Sequence, residues 1–278
     1  VSGDASAPET SRERPRRLDA VETVYQTAAL SLARAFRGKR ILVALALVLL
    51  PLAISVPVAQ RAKEAAQERF FYDMLSFYHF GIAVPGVALA FATAFPWPEA
   101  DEGTLTYWFT APVQRWAVHL GRFVAALVAG TVVLPLSVAA IAVPLRTVPD
   151  AAVGDVAVTS ISATLLAYPA YLAQFWLVAT AFRRGLGIGV CVILVENFMS
   201  MIPANLVKLT LIHYVRAMIH PSVPKASRGA AESLLHVVEP VTTTTAVLVF
   251  AIVACAALVL SLLLVEWIEY RGKVSQAT

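Results

Sequence analysis

The chain has 278 residues, of which 59% are hydrophobic and 14% charged. A soluble domain of that length has no core large enough to hide so much apolar surface, so soluble enzymes and binding modules are excluded. The net charge of +4 does not point to nucleic acid, because Lys and Arg stand beside apolar runs, as they do at the ends of membrane spans. Cys191 and Cys255 both lie inside apolar runs and read as small hydrophobes, with no disulfide or metal framework.

Residues 1–17, rich in Ser, Ala, Pro and Arg, are expected to be disordered. They do not read as a secretory signal peptide, since charges of both signs precede the first apolar run. Over residues 18–37 the apolar Val21, Val24, Tyr25, Ala28, Leu32, Ala35 and Phe36 recur at spacings of three and four. That pattern predicts an amphipathic helix lying in the membrane surface.

Six spans are expected to follow. The first covers 41–59, with Pro51 and Pro57 inside it, and a mixed-charge loop over 61–73 leads to the second at 75–95, where Pro85 and Gly86 predict a kink. The third covers 118–145, the fourth 156–182, the fifth 185–202 and the sixth lies within 241–266. With both termini on the cytoplasmic side, fourteen Lys and Arg fall inside and eight outside, a bias that supports this orientation.

Two stretches interrupt the spans. In the outer loop, 203–240, a short helix places Val207, Leu211, Ile212, Tyr214, Val215, Met218 and Ile219 in one sector and His213, Arg216 and His220 opposite. The loop reads as re-entrant or interfacial. The cationic face either meets an anionic group or is simply solvated. On the inner side, residues 99–123 form a polar-to-amphipathic segment between two spans. Asp101 and Glu102 suit a helix N-terminus, the turns to Trp108 can follow, and Pro112 breaks them.

The runs Glu102-Gly103-Thr104-Leu105, Ala111-Pro112-Val113-Gln114-Arg115 and Leu120-Gly121-Arg122-Phe123 resemble the signature of ABC type 2 permeases. That resemblance implies an all-α, six-span membrane domain over 18–278, with an interfacial helix at 18–37 and a cytoplasmic coupling helix within 99–117. It implies that Asp101, Glu102, Gly103, Thr104, Leu105, Pro112 and Arg115 couple the chain to a separate ATPase subunit, which would carry the ATP and Mg. It implies also a permease homodimer in a bacterial inner membrane. Members of the family export drugs, lipids, polysaccharides or peptides.

Glu196 is the one acid in the middle of an expected span, which makes it a functional candidate, although bonding to Asn197 or Ser200 would also account for it. Glu196, Asn197, His213 and Arg216 are the candidate substrate path. The chain contains no G-x-x-x-x-G-K-[ST], no H-E-x-x-H and no G-x-S-x-G. It is therefore expected to bind no cofactor and catalyse no reaction itself. The alternative function is an ion-gradient-driven secondary transporter that uses Glu196.

Overall fold

The computed structural model describes residues 19–61, 64–101, 113–145, 152–200, 205–219 and 241–268. Every regular element among them is helical. Five stretches are long and apolar enough to cross a membrane, namely Lys39–Arg61, Phe70–Asp101, Arg115–Ala142, Val153–Ala181 and Thr243–Trp267.

Helix α1, Ala20–Arg37, begins with Asp19 accepting the Ala20 N–H, and it carries Arg34 and Arg37 in its last turn. Asp19 thus serves as a cap, and the basic last turn complements the helix dipole. The expected apolar stripe is divided by the fold. Val21 and Tyr25 are exposed, whereas Thr23 and Thr27 are buried against the helix Arg115–Ala142. That contact is close because Gly121 has no side chain: a Cβ there would meet Val24 O at 2.6 Å and Thr27 Cβ at 2.8 Å.

Helix α2 covers Lys39–Arg61, with both prolines inside it. Ser55 donates to Pro51 O at 2.7 Å and lies 3.0 Å from Ala140 O, so one hydroxyl serves two helices. Residues 64–73, expected as loop, form helix α3, Glu64–Asp73. The run Glu-Ala-Ala-Gln-Glu consists of strong helix formers, and that propensity outweighs the charge that suggested a loop. Helix α3 continues into a π-helical segment, Met74–Ala83, and then into α4, Val84–Ala92, with Pro85 in its first turn. The irregularity thus precedes Pro85 instead of following it. A proline lacks the N–H that would reach back one turn and crowds the carbonyl there, so the wider π turn sits on its N-terminal side.

The short α5, Trp97–Asp101, precedes α6, Arg115–Ala142, which ends in a 3-10 turn, Val143–Leu145. Helix α7, Ala152–Ala181, is the centre of the bundle and packs on α4, α6 and three later helices. Between apolar spans lipid removes most of the hydrophobic drive for association, so close packing of small residues has to supply it. Ala117, Ala129, Gly130 and Ser137 on α6, with Ala163, Ala167 and Ala170 on α7, are buried as that requires.

Helix α8, Gly185–Met199, has 15 residues, about 22 Å at the helical rise. It is shorter than the fifth span expected from the sequence. A 3-10 turn, Asn205–Leu209, and helix α9, Leu211–Ile219, follow. Helix α10, Thr243–Trp267, starts where the Thr242 hydroxyl accepts the Thr245 N–H. Helix α9 packs on α7, α10, α8 and the π segment. Of the face expected to meet either an anionic group or water, His213 is turned into the bundle at 2% exposure and Arg216 is half-buried.

Candidate functional site

Polar side chains gather in two places. The first is the end of the bundle where α5 stops, α6 starts, and α7 turns into α8. Glu99 and Arg122 form an ion pair there, largely buried at 16% and 7% exposure. The Arg122 guanidinium also lies over the Phe95 ring, 4.4 Å from its centroid. Asp101 pairs with Arg183 in the α7–α8 turn, where both are about 40% exposed. An exposed pair of this kind adds at most about 1 kcal/mol, so its role is to fix where α5 ends.

Trp176 on α7 donates its indole N–H to His119 Nε2 at 2.7 Å. An indole nitrogen only donates, so His119 is the tautomer with its proton on Nδ1. Phe95 and Phe123 pack around the same indole. At the start of α6 the Trp116 N–H donates to Glu266 of α10 at 3.0 Å. A carboxylate at that helix start is favoured by the unpaired N–H groups and the dipole.

These contacts bracket the expected coupling stretch. Asp101 ends α5 and Arg115 opens α6; Glu102, Gly103, Thr104, Leu105 and Pro112 lie outside the described residues. The chain therefore leaves this end of the bundle at a residue tied to α7–α8 and returns at one tied to α10.

The second place is the middle of the bundle. Glu196 on α8 accepts the Leu211 N–H at 2.8 Å and so caps α9. Asn197 donates to Gly81 O at 2.7 Å and to Ile193 O at 2.9 Å. Gly81 is the residue one turn before Pro85, whose missing N–H leaves that carbonyl in need of a donor. Asn197 supplies it. Tyr171 of α7 is fully buried near Glu196 and Arg216, and its hydroxyl makes no hydrogen bond among the described residues. Of the four residues expected along a substrate path, Glu196 and Arg216 thus lie near Tyr171, whereas Asn197 turns to Gly81 O. Glu196 and Asn197 face backbone groups, while Arg216 Nε and both ring nitrogens of His213 make no hydrogen bond among the described residues. His220 lies outside them.

The sequence offered no sign of Tyr171 or of the Trp116–Glu266 contact. Arg122 did carry a signal: it lies seven residues inside a membrane helix, where a cation requires an acid or an aromatic face.

Among the described residues no group of His, Cys, Asp and Glu could hold a metal ion. No protein-family model matches the chain, and no curated protein matches it. The class its elements define is a helical membrane protein, built from several long apolar helices.

Proposed function

We propose that the chain is the permease subunit of an ABC exporter, driven by a separate ATPase that carries ATP and Mg. In this reading it crosses a bacterial inner membrane six times with both termini cytoplasmic, and two copies enclose the transport path. The observation that carries the reading is the bracketed segment between α5 and α6. Its two flanks are tied to the bundle, by Asp101–Arg183 on one side and Trp116–Glu266 on the other, as the anchors of a docking element that transmits movement have to be. The sequence of that segment is also where the resemblance to ABC type 2 permeases lies. The same end collects the start of α2, the end of α10 and the α7–α8 turn, so an even number of crossings fits the helix ends.

The alternative, an ion-driven carrier using Glu196, is less well supported, because that carboxylate already has a structural partner in the α9 N-terminus. To test the proposal, the tagged chain is purified in mild detergent from its native membranes. We expect an ATPase with a phosphate-binding loop to accompany it and to hydrolyse ATP in the complex. Glu102→Ala with Arg115→Ala should insert normally and lose both the ATPase and the hydrolysis. Proton-driven transport by the chain alone, abolished by Glu196→Gln, would overturn the reading.

A further inference from the structure

A cleft of about 290 Å³ opens at the hinge between α1 and α2 and runs inward between α4, α6 and α7. Its mouth carries Arg34 on the last turn of α1 and Lys39 and Arg40 at the start of α2. Phe91, Phe95, Ala126 and Trp176 line its interior. Arg122 and Glu99, paired with one another, also border it.

Two chemistries are thus arranged along one axis, a cationic rim and an apolar interior. A free inorganic anion would use the rim and gain nothing from the aromatic wall. A neutral apolar molecule would use the wall and gain nothing from the rim. An amphiphile with an anionic head uses both, and basic pockets between membrane helices suit such head groups. We infer that this cleft is a binding site for an anionic phospholipid, with its phosphate at Arg34 and Lys39 and its glycerol and upper acyl segment against Phe91, Phe95 and Trp176. The position is consistent with this, since α1 exposes Val21, Tyr25 and Phe36 as a helix at the head-group level would. The inference rests on the cleft alone and holds whether or not an ATPase partner exists.

The full chain, purified in detergent, is titrated with dioctanoyl phosphatidylglycerol, dioctanoyl phosphatidylcholine and inorganic phosphate, and bound lipid is counted by native mass spectrometry. We expect saturable retention of one phosphatidylglycerol, weak retention of phosphatidylcholine and no displacement by phosphate at millimolar concentration. Arg34→Gln with Lys39→Gln should weaken phosphatidylglycerol by about thirtyfold, at roughly 1 kcal/mol per cation. Arg34→Lys should keep most of the affinity. Ala94→Phe, which narrows the interior and leaves the charges in place, should also reduce retention. Equal retention of both lipids would mean an apolar crevice only, and displacement by phosphate would mean a simple anion site; either result overturns the inference. So would unchanged phosphatidylglycerol binding in both the charge variant and Ala94→Phe.

Discussion

The two polar regions of the bundle differ in what holds their cations. At the α5–α6 end, Arg122 has an acid and an aromatic face, and Trp176 has an acceptor. In the middle, Arg216 Nε and the His213 ring are held among packed helices without hydrogen bonds among the described residues. A satisfied polar group holds a structure together, whereas an unsatisfied one costs stability and persists only where something else requires it. Both regions give up some stability in this way, since His119 Nδ1 at the first also has no hydrogen bond among the described residues; what sets the first apart is the Arg122–Glu99 pair.

Arg122→Ala is the strongest way to break that contrast. It takes the guanidinium away from a largely buried carboxylate, and we expect a loss of about 3–5 kcal/mol, measured by thermal or denaturant unfolding in detergent. Glu99→Gln combined with Arg122→Met should recover most of it. If Arg122→Ala unfolds with the parent protein, the pair is not a scaffold element. A smaller loss, about 1–3 kcal/mol, is expected for His119→Leu, which leaves the buried Trp176 N–H without its acceptor. The smallest effect carries the opposite sign. His213→Leu removes two nitrogens that lack partners, so stability should hold or rise by up to about 1 kcal/mol. A marked destabilisation would show that the ring is engaged in the native membrane protein.

The sequence made the long helices legible because apolar runs bounded by charges have few other uses. It was less informative wherever an environment had to be guessed. Placing His213 and Arg216 opposite an apolar sector suggested water on that side, but α9 is covered on several sides, so both faces are turned inward. Arg122 was counted as a flanking charge of the third span, although it lies within α6 and points at Glu99. Pro85 marked an irregularity correctly and its position only approximately, because a proline disturbs the turn before it. Of the expected path, Glu196 and Asn197 stood out as polar residues in an apolar run. Tyr171, which lies near Glu196 and Arg216, is one of several aromatic residues in α7 and carries no such mark.

The length of α8 has a consequence for the surrounding bilayer. Leu186, Val190, Leu194 and Phe198 are all exposed on this helix, and together they offer lipid tails an apolar band of about 22 Å against a hydrocarbon layer of about 30 Å. Beside α10, whose 25 residues reach well past that thickness, the tails can stand at full length. Along α8 they have to shorten or splay, and tilting the helix would only deepen the shortfall. Where the described part of α8 alone meets lipid, the bilayer beside it would be thinner than beside α10, an asymmetry expected to draw shorter or more disordered chains to the α8 side.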